Sequence, residues 1–280
     1  MTAVQTLTNP LPMLGPTRTF PRMVDDYDDG RLAPPEQLVA ALGSASAAGL
    51  DGALANPALQ GHDLLLVLRN PLVTPALLQR IGRSPVWMKV YRVRAALVQH
   101  PKTPRPMAMS LISSLRWGDL ARVALASRLP IALRTTAERI LLLRLPELAL
   151  GERVSLARIA TPSVIRGLRG ENSPLVVRAL LENASLRFEE VLFMAERADA
   201  PPALLTVLAD GTRFERRQEL RLALASHPRT PHAAALRLVA ALPPATLAIL
   251  AASDKAPMLV RVAAERRLEQ GRPTAAAARP

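Results

Sequence analysis

Hydrophobic residues recur along most of the chain with the spacing of one face of a helix. Ala235, Leu238, Val239 and Leu242, for example, follow the i, i+3, i+4, i+7 pattern. No convincing stretch alternates β-branched or aromatic residues with polar ones, as a half-buried strand would. The pattern therefore predicts an all-helical fold.

A short motif built on arginine recurs at nearly even intervals inside these helical stretches. Each copy places aliphatic residues shortly after the arginine, as in Val93-Arg94-Ala-Ala-Leu97. The five copies, centred on Arg94, Arg139, Arg178, Arg221 and Arg261, recur roughly every 42 residues. A fixed period of this length is typical of stacked helical repeats rather than of one closed core.

Prolines mark further points of the same repeat. His100-Pro-Lys-Thr-Pro104 and His227-Pro-Arg-Thr-Pro231 have the same layout, a helix stop followed by a helix start. Proline ends a helix because it lacks the backbone N–H, yet it fits the first helical turn, and threonine before it can cap that turn. We expect the same start at Thr74-Pro75. A further helix is expected to open at Gly118, Pro162, Pro202 and Pro244, which are evenly spaced with the same period.

Together these markers predict a right-handed alpha solenoid of about five repeats, each of about 42 residues, over residues 62–270. Residues 1–35 hold six prolines and four aspartates without periodicity, and are expected to form a flexible, proline-rich, acidic arm. Residues 36–61, rich in alanine and glycine, are expected to form an N-terminal cap. Residues 271–280 are expected to form a flexible tail.

The repeated motif resembles those of known helical-repeat families. Val93-Arg94 through Pro104, Leu220-Arg221 through Pro231 and, more weakly, Val177-Arg178 through Ser185 are similar to HEAT and armadillo repeats and to the bacterial leucine-rich repeat variant. The resemblance covers roughly residues 62–268, and it implies an armadillo-type binding scaffold without implying a ligand. The chain departs from the leucine-rich repeat variant in its longer period and in lacking the cysteine cluster of some members. An iron–sulfur centre is therefore not implied.

Charge extends the argument from a fold to a class of partner. The net charge is +13, and residues 62–280 carry 33 basic and 17 acidic groups. Such a surface favours acidic partners, namely an acidic protein segment, anionic lipid or nucleic acid. A compositional interpretation stays open, because nearly all the basic residues are arginines, as a GC-rich genome would produce. The lack of cysteine excludes disulfides, thiolate metal sites and cysteine nucleophiles.

Two groups of basic residues exceed the repeat pattern and are the candidate partner-binding residues. The first consists of Lys89, Arg92 and Arg94, and the second of Arg213, Arg216, Arg217 and Arg221. Each group precedes or opens the same helix of its repeat, so both are expected on one edge of the solenoid. The alternative is an ordinary solvated face, with the repeated arginines binding carboxylates or helix-end carbonyls inside the fold.

The sequence therefore predicts a non-enzymatic scaffold that binds a protein partner through an acidic segment. The alternative is sequence-independent binding of duplex nucleic acid through an arginine-rich face. No catalytic residue, cofactor site or metal site is assigned, and His100 and His227 are expected to form hydrogen bonds at hinges. The apolar runs are shorter than the ~20 residues of a membrane span. We expect a cytoplasmic protein, and the oligomeric state is left open.

Overall fold

The computed structural model describes residues 26–42, 45–210 and 213–270. Within this part of the chain every regular element is a helix and no strand occurs, which confirms the all-helical prediction. None of the described helices is both long and apolar enough to cross a membrane. Residues 1–25 of the expected arm, and the expected tail at 271–280, lie outside the described residues.

The chain divides into two compact units, one up to Leu111 and one from Ile112. The region 62–270, expected to be one repeat domain, therefore contributes to both. The helices described in the first unit are α1 (Tyr27–Leu32), α2 (Pro35–Ala41), α3 (Ala47–Ala53), α4 (Leu64–Val67), α5 (Pro75–Arg83), α6 (Pro85–Met88), α7 (Tyr91–Gln99) and α8 (Arg105–Leu111). Leucine, valine, isoleucine and alanine form its buried core, from Leu38 on α2 to Leu97 on α7.

The second unit opens with a short 3-10 helix, Ile112–Ser114, and contains a second 3-10 helix, Leu145–Glu147. Its core is aliphatic, in keeping with an aromatic content of 3%. The α-helices described in this unit are α9 (Trp117–Leu125), α10 (Ile131–Arg144), α11 (Leu150–Ile159), α12 (Pro162–Leu168), α13 (Pro174–Glu182), α14 (Phe188–Glu196), α15 (Pro202–Ala209), α16 (Gln218–Ser226), α17 (His232–Ala240), α18 (Pro244–Ala251) and α19 (Met258–Gln270).

Glycines bring α1 into backbone contact with α3. A Cβ atom on Gly30 would lie 2.1 Å from the carbonyl oxygen of Gly49. A Cβ atom on Gly52 would lie 1.9 Å from the carbonyl oxygen of Tyr27. Only glycine permits this approach, so the glycine content of the region is a packing device.

Residues 26–35 belong to the folded unit, although their sequence predicted a flexible arm. Asp26 caps α1 by accepting a hydrogen bond from the backbone N–H of Asp29 at 2.8 Å. The buried side chain of Asn56 donates to the carbonyl oxygen of Gly30 at 3.0 Å. Glycine lowers the helix propensity of the stretch while allowing its helix to pack, which explains why the pattern of apolar residues did not indicate it.

In the second unit helices contact the second-next helix along the chain. The odd row consists of α9, α11, α13, α15, α17 and α19, each in contact with the next. In the even row α10 contacts α12, α14 contacts α16, and α16 contacts α18. The contacts therefore repeat every two helices. The number of residues between the starts of successive odd-row helices varies. It is smallest from Leu150 to Pro174 and largest from Trp117 to Leu150.

One period of about 42 residues in the sequence spans three helices. The arginine motif lies on α7, α10, α13, α16 and α19. Within the second unit these helices fall alternately in the even row and the odd row. In this unit the helices that carry the arginine motif therefore do not share one row.

Of the four Thr-Pro pairs in the described chain, only Thr74-Pro75 has a threonine side chain that caps the helix start, and Thr161 before α12 makes no cap hydrogen bond. The Oγ1 of Thr74 accepts a hydrogen bond from the backbone N–H of Leu77 at 3.3 Å. In the two His-Pro-x-Thr-Pro segments the helix begins one residue after the second proline, so threonine is not the cap. The Oγ1 of Thr103 donates to the carbonyl oxygen of Leu97 at 2.7 Å, and that of Thr230 is buried without a partner in the described chain. The starts expected at Pro162, Pro202 and Pro244 are confirmed as the first residues of α12, α15 and α18.

Side chains at helix C-termini connect helices within a row. Asn183, the C-cap of α13, donates to the carbonyl oxygens of Ala157 and Ala160 at the end of α11, at 2.8 and 3.0 Å. His227, the C-cap of α16, has its Nε2 2.9 Å from the carbonyl oxygen of Arg197, the C-cap of α14. The last carbonyls of a helix have no partner within it, so these contacts satisfy them. In the second unit five arginines donate in the same way to carbonyls at or after the end of an earlier helix: Arg144, Arg197, Arg213, Arg229 and Arg237.

Candidate functional site

The five repeated arginines divide into half-buried and exposed residues. Arg94, Arg221 and Arg261 are half-buried, and the Nε atoms of Arg94 and Arg261 are fully enclosed. Arg139 and Arg178 are exposed. The three half-buried arginines are each the fourth residue of their helix, whereas Arg139 is the ninth and Arg178 the fifth. Even spacing in the sequence therefore grouped residues that are not structurally equivalent.

Two further arginines hold the fourth helical position. Arg134 of α10 and Arg153 of α11 both bury Nε without a hydrogen-bond partner in the described chain. Arg221 donates from Nε to the carbonyl oxygen of Glu215 at 2.7 Å and from Nη1 to that of Ala241 at 3.0 Å. Arginines at this position pack into the fold, as the alternative interpretation of the repeated arginines expected.

The seven candidate partner-binding residues also divide. Arg94, Arg213, Arg217 and Arg221 are engaged within the protein. Arg94 donates to the carbonyl oxygen of Met88, and its Cζ lies 5.6 Å from the ring centroid of Tyr91. Lys89 and Arg92 in the first unit and Arg216 in the second are exposed, with no hydrogen bond, ion pair or ring contact from their side chains to the described chain. Only these three are available to a partner without breaking an internal contact.

Arg213 and Arg217 flank a pair of phenylalanine rings. The Cζ of Arg217 lies 4.1 Å from the ring centroid of Phe188, and the Cζ of Arg213 lies 4.8 Å from that of Phe214. The two ring centroids are 5.9 Å apart with a tilt of 44°. A guanidinium over an aromatic face is attracted by the ring quadrupole. The cluster therefore joins the start of α14 to the start of α16.

A shallow groove of about 440 Å³ lies between α16 and α18, beside this cluster. Its lining residues are Arg216, Arg217, Gln218, Glu219, Leu222, Thr246 and Ile249. Ile249 is 59% exposed, a large apolar surface for a helix that packs on a neighbour. The groove therefore combines an aliphatic surface with the unpaired guanidinium of Arg216.

The carboxylate in this groove is already paired. The pKa of Glu219 lies below its usual value because its own backbone N–H, and then the Arg217 guanidinium, donate hydrogen bonds to the carboxylate. The Arg217 Nε lies 3.4 Å from Glu219 Oε2. Glu219 thus offsets the charge of Arg217 and leaves that of Arg216 uncompensated.

A second groove, of about 270 Å³, lies between α12 and the start of α14. Its lining residues are Pro162, Ile165, Arg166, Ser185, Arg187, Glu189 and Glu190. Arg166 and Arg187 are exposed, and their side chains make no hydrogen bond or ion pair with the described chain. Glu190 is paired with Arg169 at 3.4 Å, and Arg169 lies 4.0 Å above the ring of Phe193. This groove too contains unpaired arginines, and its exposed apolar surface is that of Pro162, because Ile165 is buried.

The two grooves lie along the even row, and we group them under the name arginine strip, defined by Arg166, Arg187, Arg216 and their grooves. Arg187 precedes Phe188, the ring that Arg217 covers, and Arg217 lines the other groove. The helices α14 and α16 are in direct contact. The strip therefore follows the even row across the starts of two helices.

Sequence patterns indicated Arg216 but neither Arg166 nor Arg187. A signal for Arg187 exists, because Arg187-x-Glu189 recurs as Arg217-x-Glu219 one even-row helix later, and both arginines are N-caps, of α14 and α16. The arginine motif, which recurs about every three helices, is more visible in the sequence. Arg187 and Arg217 are only two helices apart, so that motif does not include them. The exposure of Ile249 depends on neighbouring helices and has no signal of its own.

Histidines serve the fold at the two hinges. The Nδ1 atoms of His100 and His227 each accept a hydrogen bond from the backbone N–H two residues later, at 3.1 Å. This confirms the hinge role expected from the sequence. Among the described residues no group of three or more histidines and carboxylates could hold a metal ion.

Comparison of the chain with protein-family models, with curated proteins and with solved structures gave no significant match. The geometry of the arginine strip is therefore the basis for assigning a function.

Proposed function

We propose that the protein is a non-enzymatic scaffold whose second unit is a HEAT- or armadillo-like alpha solenoid. The contact pattern supports a solenoid, because each helix of a row meets the next one of the same row. The cross-links from Asn183 to α11 and from His227 to α14 repeat at equivalent places. The contacts favour a repeat of two helices over the three-helix unit expected from the sequence. The right-handed sweep follows from the resemblance to HEAT repeats.

The arginine strip is the proposed binding surface, and an extended acidic protein segment is the proposed ligand. The observation that carries this proposal is that Arg166, Arg187 and Arg216 are exposed and unpaired beside aliphatic side chains, while neighbouring arginines are engaged in the fold. A carboxylate binds a guanidinium through two parallel hydrogen bonds. Ile249 and Leu222 offer an apolar contact to an aliphatic side chain of the same segment.

The composition of the strip favours a protein ligand over duplex DNA or RNA. Glu189, Glu190 and Glu219 line the same grooves as the arginines. Carboxylates beside a phosphate backbone would repel it, whereas a protein segment of mixed acidic and aliphatic residues can avoid them. Duplex nucleic acid stays the alternative ligand, bound through the same three arginines.

Binding of a designed peptide tests the proposal. A fluorescein-labelled peptide that repeats Asp-Glu-Leu-Glu four times is titrated with the full chain and followed by fluorescence anisotropy. The triple variant Arg166→Gln, Arg187→Gln, Arg216→Gln should weaken binding roughly tenfold or more, about 1.4 kcal/mol. Arg128, Arg139 and Arg178 are also exposed and unpaired in the described chain, so their conversion to Gln removes the same charge elsewhere and should change binding little.

Two further titrations separate the ligand classes. A peptide with serine in place of leucine should bind more weakly, and Ile249→Ser should remove the difference between the two peptides. A short DNA duplex should lose affinity steeply between low salt and about 0.15 M, because its binding depends on released counterions. If the duplex binds more tightly than the peptide at that salt concentration, the nucleic-acid alternative replaces the proposal. Equal effects of the two arginine triples would mean that the strip is not a site.

A further inference from the structure

We propose that the arginine strip of one molecule binds the acidic start of α1 of a second copy of this chain. The inference rests on the proposed function, because it names an acidic segment for the strip. The occupant is defined by three aspartates, Asp26, Asp28 and Asp29, which we name the α1 acidic patch.

The α1 acidic patch concentrates negative charge in an otherwise basic protein. Residues 26–42 carry four acidic residues and one basic residue, Arg31. Arg31 pairs with Asp28 at 3.3 Å, yet the Asp28 side chain stays 73% exposed. Asp26 uses Oδ1 to cap α1, and a carboxylate has further acceptor sites. Asp26 and Asp28 can therefore accept hydrogen bonds from another molecule, and the half-buried Asp29 adds charge beside them.

Apolar side chains accompany these carboxylates. Leu32, the last residue of α1, is 66% exposed, and Tyr27, its first residue, is 40% exposed. The same combination of aliphatic surface and charge, with the opposite sign, occurs in the arginine strip around Ile249 and Arg216. Charge and apolar surface thus match on both sides of the proposed contact.

The contact joins two different surfaces and is therefore heterologous. Complementary potentials of this kind mainly accelerate and orient association, and they are weakened by salt. The expected behaviour is concentration-dependent self-association at low salt that weakens toward about 0.15 M. A strip occupied by a second copy is closed to other acidic ligands, so self-association would compete with the peptide.

Sedimentation velocity of the full chain over a range of protein and salt concentrations is the first test. The variant Asp26→Asn, Asp28→Asn, Asp29→Asn should raise the dissociation constant of self-association roughly tenfold or more. Asparagine preserves the N-cap of α1, so the helix start is retained. The control Glu196→Gln, Glu265→Gln, Glu269→Gln changes net charge equally at exposed, unpaired carboxylates of the described chain and should leave self-association unchanged.

Mixing the two kinds of variant tests the pairing directly. The aspartate variant retains its strip, and the variant Arg166→Gln, Arg187→Gln, Arg216→Gln retains its acidic patch. At a protein concentration near the dissociation constant of the wild type, each variant alone should sediment mainly as a monomer. An equimolar mixture should recover a heterodimer, because one contact of the proposed type is restored.

Four outcomes would overturn the inference. If the wild-type protein binds the peptide but stays monomeric at every concentration, the proposed function is retained and binding of a second copy is rejected. Self-association that neither variant affects would mean that it uses other surfaces. An aspartate variant that gains peptide affinity without any change in mass would mean that the patch covers the strip of its own chain. A mixture that stays monomeric would mean that the two surfaces do not meet.

Discussion

The Nε2 atom of His227 lies 2.9 Å from the carbonyl oxygen of Arg197, and this contact defines the tautomer of the imidazole. Its Nδ1 accepts a hydrogen bond from the backbone N–H of Arg229 at 3.1 Å, so Nε2 carries the proton and donates. Asn183 fills the equivalent place in the odd row, where its Oδ1 accepts from the backbone N–H of Ser185 at 2.8 Å. A neutral histidine and an asparagine thus offer the same donor and acceptor.

This equivalence predicts that His227→Asn preserves most of the stability of the second unit. His227→Ala should instead lower the free energy of unfolding by roughly 1–3 kcal/mol, because it leaves a buried carbonyl and a backbone N–H without partners. Urea denaturation of the two variants measures the difference. Equal losses for Asn and Ala would mean that ring packing, not hydrogen bonding, is what the position requires.

Thr103 and Thr230 should respond oppositely to replacement by valine. Thr103 donates a hydrogen bond to Leu97 at 2.7 Å, so Thr103→Val should lose about 1 kcal/mol of stability. The buried Oγ1 of Thr230 has no partner in the described chain, so Thr230→Val should be neutral or stabilising by up to about 1 kcal/mol. Thermal unfolding of both variants is the measurement, and a loss at Thr230 as large as that at Thr103 would contradict the assignment.

Stability should depend on pH through Asp199. Its pKa lies below the usual value, chiefly because the Arg197 guanidinium donates hydrogen bonds to the carboxylate. A carboxyl with a lowered folded-state pKa stabilises the fold above its unfolded pKa, about 3.9, and the contribution is lost as pH falls through the folded-state value. Asp199→Asn should therefore destabilise the protein at pH 6, and the loss should be smaller at pH 2, because the carboxyl is increasingly protonated there.

The matched control for that experiment is Asp254→Asn, at an exposed aspartate with no ion pair in the described chain. Chemical denaturation at both pH values should show no loss for this variant. A loss at Asp199 that is the same at pH 6 and pH 2 would indicate a packing effect rather than charge.

Gly30→Ala should detach α1 from the first unit. The new Cβ would lie 2.1 Å from a backbone oxygen of α3, and backbone cannot move aside as a side chain can. Amide hydrogen exchange of residues 27–32 should therefore accelerate. Gly118→Ala is the matched control, because nothing lies within 4 Å of the position its new Cβ would take, and this variant should be neutral or stabilising by up to about 1 kcal/mol. Unchanged exchange in Gly30→Ala would mean that α1 can shift to accommodate the methyl group.

Local chemistry made part of the fold predictable from sequence. Apolar spacing indicated the helices, and proline at the first helical position indicated the starts of α12, α15 and α18. Row assignment was not predictable in the same way. Which helix contacts which depends on packing between segments that are distant in the sequence. The most visible sequence period spans three helices, whereas the contacts repeat every two.

The candidate site was predictable only in part. Charge clusters indicated Arg216, but the same clusters contained Arg213 and Arg217, whose guanidinium groups are held by Asn183 and Phe188. An arginine that stabilises the fold and one that is free to bind have the same sequence signature. Only the positions of surrounding carbonyls and rings separate them.

The contact between every second helix also constrains how the chain can change in length. Deleting one helix from the second unit would exchange the two rows for every helix that follows, and would bring Asn183 or His227 opposite the wrong helix end. Deleting or duplicating two adjacent helices leaves each later helix beside its original kind of neighbour. Insertions that preserve the fold should therefore come in helix pairs. The arginine motif recurs every third helix, so it returns to the same row only after six helices.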